Sequence, residues 1–342
     1  MKHIFSTLCT IFLFILMLLF PQDAFKGASA GLLLWFHTVL PTLLPFIILS
    51  NLLMKTGAID WIALAVSPVL CRFFRVSPYG AFAILTGFLC GCPMGGKVTA
   101  DLIRDGSITR QEGRYLLSFC NNTSPMFMIS FVIWKNLGRE EQTALLLAVL
   151  LGSPILLSFL FRLYYRIPRP VQTLKPDLRA VPVSSEGVLD DCIMNSFETI
   201  TRIGGYMMLF AIIISLAELL CAKSALVSLI LLPSLEITNG VPMICSLDLP
   251  YDVRLIGTLA LTSFGGWCAA AQTKAMIRGT SLEFLPYIIE KLATALVTSL
   301  LAYILLALLH YFFFFHPIFR FRLRTAVLCF QAARGLIWNL KL

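Results

Sequence analysis

The chain has 342 residues, 58% of them hydrophobic and 13% charged, with a formal net charge of +9 and a mean hydropathy of +0.86. Soluble domains carry about 25% charged residues, so about half that share leaves too little polar surface to face water, and a soluble fold is excluded. Much of the basic excess falls in short loops and at the C-terminal end, as the positive-inside rule expects of a membrane protein, so no nucleic-acid partner is implied.

Lys2 and the apolar run Ile4 to Phe20 resemble the opening of a signal peptide, with Ala28-Ser29-Ala30 as a cleavage-like site. The run is long for that role and Pro21 to Lys26 intervene, so a retained first helix with a cytoplasmic N-terminus is expected. Gly31 to Met54 is a second spanning segment, interrupted by Pro41 and Pro45. Ile59 to Phe74 is shorter. Its Trp61 and Arg72, with Arg75 just beyond, suit a helix lying in the interface, and a full crossing is the alternative.

The stretch Thr86 to Lys97 then places Gly87, Gly91, Pro93, Gly95 and Gly96 inside an otherwise apolar segment. Each Gly costs roughly 1 kcal/mol and each Pro about 3 kcal/mol against Ala in a helix, so one unbroken helix is not expected. Non-helical backbone at membrane depth persists only where it is buried in protein or lines a wet cavity. A re-entrant hairpin from Ala81 to about Ile103 is the expectation. The charged connector Arg104 to Arg114 offers Thr109 as an N-cap, with Glu112 at the capping-box position. Tyr115 to Trp134 is spanning but holds Asn121, Asn122, Thr123, Ser124 and Pro125 near its middle. Those amides and hydroxyls are costly in hydrocarbon without partners, and the proline frees a backbone carbonyl. Thr143 to Tyr164 returns the chain, and the Pro- and Arg-rich stretch Arg162 to Glu186 reads as an extended cytoplasmic linker.

The second half reruns the first. Met194 to Cys221 parallels Gly31 to Met54, and Ser224 to Ile237 parallels Ile59 to Phe74. An acidic loop with Glu236, Asp248 and Asp252 follows. Next comes a second interrupted stretch, Ser263, Phe264, Gly265, Gly266 and Trp267 with Gln272, expected as a hairpin from Leu255 to Ile277. Phe284 to about Phe315 is the last helix, and a basic tail follows from Arg320. Loop charges make the halves inverted repeats, with about six crossings and two re-entrant hairpins. The fold class is therefore an all-α polytopic membrane protein with an inverted repeat and broken helices. Its parts are an N-terminal helix (1–27), a first gate-like repeat (28–164), a linker (165–190), a second repeat (191–315) and a tail (316–342).

Interrupted segments at matching places in two halves point to a transporter binding site. Candidate substrate ligands in the first half are Gly91, Cys92, Pro93, Gly95, Gly96, Lys97, Asn121, Asn122, Thr123 and Ser124. In the second half they are Ser263, Gly265, Gly266, Gln272 and Lys291. Glycines let backbone approach a ligand closely, helix N-termini favour carboxylates, and the amides and hydroxyls supply neutral hydrogen bonds. Lys291, beside Glu290 within an apolar run, either neutralises substrate charge or snorkels with its neighbour to the interface. Lys97 is likewise a ligand contact or an interfacial anchor. Trp267 either closes over a substrate ring or packs. The ten cysteines read mainly as apolar filler, since Cys90 and Cys92 have no zinc-like companions. No metal or cofactor is expected, and the coupling ion is left open.

Gly91-Cys92-Pro93-Met94-Gly95-Gly96-Lys97, Leu116-Leu117-Ser118-Phe119-Cys120-Asn121-Asn122, and Ser263-Phe264-Gly265-Gly266 with Gln272 resemble the sporulation integral-membrane proteins of the YlbJ type. That type belongs to the wider nucleoside-recognition, or gate, domain group, and the resemblance runs from about Ala28 to Leu300. Cysteines at 90 and 92 and the Arg-rich tail depart from the pattern. The resemblance implies a transporter of endospore-forming bacteria that moves dipicolinic acid from the mother cell towards the forespore, across the outer forespore membrane. It also implies a fold similar to one half of concentrative nucleoside transporters, with substrate held between two hairpin tips and neighbouring unwound helices.

The expected function is thus a transporter or permease for a small organic anion, dipicolinic acid foremost, working by alternating access, with both termini cytoplasmic. Nucleoside transport is the rival within the same fold, and a non-transporting sporulation scaffold is the rival outside it. A second copy of the chain and sporulation membrane proteins are candidate partners beside the bilayer and the solute. Paired catalytic groups are missing from the sequence, so no enzyme is expected.

Overall fold

The computed structural model describes residues 2–167, 187–221 and 227–315, and among these the chain forms helices and no strand. The linker stretch 168–186 and the tail 316–342 lie outside the described residues. Helix α1 (Lys2–Leu19) is followed by α2 (Pro21–Leu34), which continues through a wide-turned stretch, Trp35–Val39, into α3 (Leu40–Lys55). Next come α4 (Ile59–Phe74), α5 (Pro78–Cys90), α6 (Met94–Arg104) and α7 (Arg110–Cys120). Helix α8 (Pro125–Phe127) runs on in wide turns over Met128–Leu137, and α9 (Thr143–Tyr164) returns the chain. In the second half α10 (Val188–Cys221) precedes a wide-turned stretch, Val227–Leu231, that leads into α11 (Leu232–Leu235). The chain then forms α12 (Ile237–Ser246), α13 (Tyr251–Phe264), α14 (Gly266–Met276) and α15 (Phe284–Phe315).

Among the described residues six stretches are long and apolar enough to cross a bilayer: Pro21–Lys55, Arg110–Leu137, Glu140–Tyr164, Val188–Leu220, Tyr251–Met276 and Phe284–Tyr311. The protein is an all-α polytopic membrane protein. Large apolar side chains such as Leu160, Leu163, Leu285 and Leu296 stand exposed along these helices, where lipid rather than water is the compatible solvent. The crossings expected at 31–54, 115–134, 143–164, 194–221 and 284–315 fall on five of these stretches, and 251–276, expected as a hairpin, is the sixth; α1 is apolar along Thr7–Leu19.

A hairpin does form where the first glycine-rich stretch predicts one. Helices α5 and α6 pack along each other, and a Cβ on Gly87 would sit 3.2 Å from the Cα of Gly95. That same Cβ would overlap the Cys120 carbonyl oxygen, so both arms also press on the end of α7. The base of the hairpin is tied down by Glu112. Thr109 caps α7 as expected, accepting from Glu112 N–H at 3.2 Å. The Glu112 carboxylate, instead of completing a capping box with Thr109, accepts from Ser77 N–H at 2.6 Å, just ahead of α5.

The second-half expectation is corrected. Helices α13 and α14 do not pack along each other; they follow one another through Gly265 as one broken span. The fold-back of this half lies earlier, at Glu236 between α11 and α12. A Cβ on Gly240 would overlap the Pro233 carbonyl seven residues back, a closeness that a continuing helix cannot produce. The described part of the segment paired with Ile59–Phe74 by sequence, 227–235, is therefore a hairpin arm. Glu236, expected in an exposed acidic loop, is only 3% exposed, so it drops out of the loop-charge argument. The order hairpin, broken helix, continuous helix occurs twice: α5–α6, α7–α8, α9, and then α11–α12, α13–α14, α15.

Two apolar clusters flank the centre. One packs Phe82, Ile84, Met94, Val98, Tyr115 and Phe119 of the first hairpin and α7 against Ile47 of α3 and Ile200 and Ile203 of α10. The other joins Met128, Ile133, Leu146 and Leu150 to Leu255, Leu259, Ala302 and Leu306. Helix α2 lies close along α10, where a Cβ on Gly27 would come within 2.8 Å of the Ala211 carbonyl oxygen, the small-residue contact usual between membrane helices. Gly87→Ala is expected to destabilise the protein by about 1–3 kcal/mol through overpacking. Gly152→Ala, in α9 with nothing within 4 Å of its Cβ position, should be neutral or stabilising. Thermal unfolding in detergent, read by intrinsic fluorescence, separates the two variants.

Candidate functional site

Helices stop at four places near the middle of the fold, and these places meet. Helix α5 ends at Gly91, whose φ of 85° and ψ of −170° suit glycine, and the tip continues through Cys92 and Pro93 into α6. Helix α7 ends at Asn121 (φ −96°, ψ 74°), and its continuation restarts at Pro125 with Ser124 as N-cap, accepting from Phe127 N–H at 3.4 Å. The second tip is Glu236, in extended backbone. The second break is Gly265–Gly266, both in the left-handed region at φ 87° and 83°, where a Cβ would be strained. Backbone contacts stitch these places together: Cys92 N–H donates to Asn122 O at 2.5 Å, and Thr123 Oγ1 to Thr262 O at 2.8 Å.

Between them lies a cavity of about 100 Å³, lined by Cys90 and Cys92, Thr123 and Ser124, Glu236 and Thr238, and Gly265, Cys268 and Gln272. Thr38 and Thr42 from the α2–α3 span and Ile203 and Met207 from α10 close its wall. Of the residues predicted from sequence, Cys92, Thr123, Ser124, Gly265 and Gln272 thus share one space.

The others surround it. Gly91 packs on the first break, where a Cβ would meet Ser124 N at 2.6 Å, and Gly266 lies against the second tip, 3.2 Å from Ser234 O on the same measure. Pro93 is the residue from which α6 starts, and Gly95 packs on Cys120 O, where its Cβ would come within 2.5 Å. Gly96 N–H donates to Asn121 Oδ1 at 3.1 Å. Asn121 Nδ2 in turn donates to Thr273 Oγ1 and Tyr287 OH, both at 2.9 Å. One buried amide therefore joins α6, the α7 break, α14 and α15. Asn122 Nδ2 turns back to Phe119 O at 2.6 Å, and Ser263 accepts from Thr298 Oγ1 at 2.7 Å.

Charges settle differently at the two lysines. Lys97 Nζ lies 2.7 Å from Asp101 Oδ2 and 3.2 Å from Asn51 Oδ1. It is paired and does not line the cavity. Lys291, 4% exposed, donates to Asn121 O and Asn122 Oδ1 at 3.3 Å each. Among the described residues no carboxylate pairs with it. Glu290 is equally buried and accepts from Tyr165 OH, so neither member of this pair snorkels. Trp267 stands edge-on to Phe264 at 5.5 Å and is 38% exposed, off the cavity wall.

Sequence reasoning passed over Glu236, Thr238, Cys268, Thr273 and Tyr287. Glu236 carried a usable signal, a lone acid after Leu231-Leu232-Pro233-Ser234-Leu235, because an isolated charge in an apolar run is a functional candidate by default. Cys268 is four residues before Gln272 on the same helix face, and Gln272 Nε2 lies 3.3 Å from its sulfur.

Residues 36–159 match the family model described as Gate, nucleoside recognition. That segment contains the first hairpin and the first helix break. The chain is also similar to the sporulation integral membrane protein YlbJ of Bacillus subtilis (strain 168), with 27% identity over 306 residues, covering 80% of this chain and 75% of that protein. No solved structure matches the chain.

Asn121→Ala leaves the buried Gly96 N–H without its acceptor and should cost roughly 1–3 kcal/mol. Tyr287→Phe removes the bond from Asn121 Nδ2 and the longer one shared with Thr273 Oγ1 but orphans no backbone group, and should cost about 1 kcal/mol. Denaturation midpoints of the two variants in the same detergent check this order.

Proposed function

We propose that this sporulation-associated membrane protein is a transporter or permease for a small organic anion. Both hairpin tips would re-enter the bilayer and alternate access to the central cavity. The observation that carries this reading is the meeting of two hairpin tips and two helix breaks around one cavity, with the polar residues Thr123, Ser124, Glu236, Thr238 and Gln272 on its wall. Helix α14 begins there with no side-chain cap, so its first-turn N–H groups and its positive dipole end are available to a carboxylate. Lys291, buried without a counter-ion behind Asn121 and Asn122, supplies a positive field on the same side of the site. An anion relieves that uncompensated charge, which gives the solute class a physical reason.

Dipicolinic acid is the solute to test first, because the relative bears a sporulation name and a rigid pyridine dicarboxylate offers two acceptor groups to such a site. The setting would be the outer forespore membrane, with the termini on the cytoplasmic side and the two halves inverted. No chemical conversion of the solute is involved. The description of the matching family model, nucleoside recognition, favours one second reading, transport of nucleosides through the same cavity.

Purified protein in proteoliposomes should take up radiolabelled dipicolinate above the level of empty vesicles. Lys291→Met should lower the initial rate about tenfold, equivalent to roughly 1.4 kcal/mol. Uptake of uridine or adenosine with no competition by dicarboxylates would select the nucleoside reading, and uptake of neither would count against both.

A further inference from the structure

Helices α10 and α14 each turn one face to the central cavity, through Ile203 and Met207 on the first and Cys268 and Gln272 on the second. On other faces the same two helices leave a groove of about 1000 Å³. Arg202, Tyr206 and Leu209 line it from α10, Lys274 from α14, Arg278 from the turn beyond, and Phe284 from the start of α15. Gly205 also belongs to its lining, and a Cβ there would meet nothing within 4 Å. The backbone itself therefore borders open space at that point.

Three basic side chains line this groove and, among the described residues, no acid does. Lys55, Lys97, Arg104, Arg110 and Arg114 elsewhere each lie within ion-pair distance of a carboxylate. Arg202 has Glu198, one turn back on its own helix. Lys274 and Arg278 have no such partner among the described residues. Lys274 Nζ lies instead over the Phe284 ring, 5.1 Å from its centroid. The carbonyls at the end of α14, which would repel an anion, are covered from the other side: Arg104 donates to Met276 O and Arg278 O at 2.8 Å each.

Polarity also runs along the groove. Arg202 stands towards the Asp190–Asp191 start of α10, and Leu209 is two turns, about 10 Å, further into the apolar run of that helix. On α14 the lining passes from Ala271 to Lys274 and then to Arg278 beyond its end. Cations at one end and apolar side chains at the other match an anionic headgroup above an acyl chain, and basic pockets between membrane helices hold lipids of that charge. A free anion would leave Tyr206, Leu209 and Phe284 uncovered. We propose that this groove binds one anionic phospholipid. Lys274 and Arg278 hold its phosphate with Arg202 at the rim, and an acyl chain lies along Tyr206 and Leu209. Bound there, the lipid braces α10 and α14 behind the cavity wall that the same helices form, and it stabilises the fold by mass action.

The test needs no transported solute. Full-length protein, stripped of copurifying lipid in a neutral detergent, is melted with added phosphatidylglycerol, with phosphatidylcholine of the same acyl chains, or with inorganic phosphate. Each variant is compared with itself in detergent alone. Phosphatidylglycerol should raise the wild-type Tm by about 3 °C more than phosphatidylcholine does, and inorganic phosphate should not raise it. The double variant Lys274→Gln, Arg278→Gln, at two exposed positions, should lose most of that rise. Gly205→Leu keeps every charge but fills the groove, and should lose it as well. Lys135→Gln, at a basic position outside the groove, should keep it. Equal rises with the two lipids overturn the proposal, as does an undiminished rise in the double variant or in Gly205→Leu. So does a loss in Lys135→Gln as large as in the double variant, which would mean unspecific surface charge. A rise with inorganic phosphate equal to that with phosphatidylglycerol gives the groove to a free anion and removes the lipid.

Discussion

Backbone and amide groups freed where helices stop must find partners in a molecule whose surroundings offer none, and the centre of this structure is arranged by that requirement. Each broken helix exposes N–H and C=O groups that hydrocarbon cannot solvate. Here they are answered largely by one another. Asn121 closes on Gly96, Thr273 and Tyr287, the first tip donates to the first break through Cys92, and Thr123 donates to the end of α13. Because each of these bonds joins different elements, the interruptions are held in register with one another. The apolar clusters on either side hold the surrounding helices together, and the polar centre sets where the breaks fall.

What the interruptions leave unanswered is equally informative. Among the described residues Lys291 touches only neutral oxygens, Glu236 is buried without an ion-pair partner, and α14 starts without a side-chain cap. A structure selected for stability alone would pair or remove such groups, since an uncompensated buried charge costs several kcal/mol. Their retention at the centre of the fold is the physical ground for the proposal that a solute is received there. The family match covers the first hairpin and first break, whereas Glu236 and Gln272 belong to the second half.

The first half was legible because its signals are local. Gly91, Pro93, Gly95 and Gly96 cannot share a helix interior cheaply, and Asn121 to Pro125 announce a break by composition alone. The second half misled for the same reason. Gly265–Gly266 disrupts a helix as surely as the first stretch does, but whether chain beyond a break turns back or runs on depends on what it packs against. Here α14 runs on against α6, α10 and α11, while the reversal occurs at Glu236, where the sequence shows only Pro233 and one acid. Lys97 and Lys291 show the same limit. Both are lysines in apolar company, yet one finds Asp101 a turn away and the other finds only carbonyl oxygens from a helix far off in sequence.

The sequence by itself determined the bilayer as solvent, the helical class and the positions where helices fail, because these follow from composition and from residues that act on their own backbone. Tertiary structure alone decided which failure is a hairpin and which a break, and which buried charges are paired. It also decided that four interruptions enclose a single space. Those outcomes depend on contacts between residues 170 and more positions apart, and no local pattern encodes such contacts.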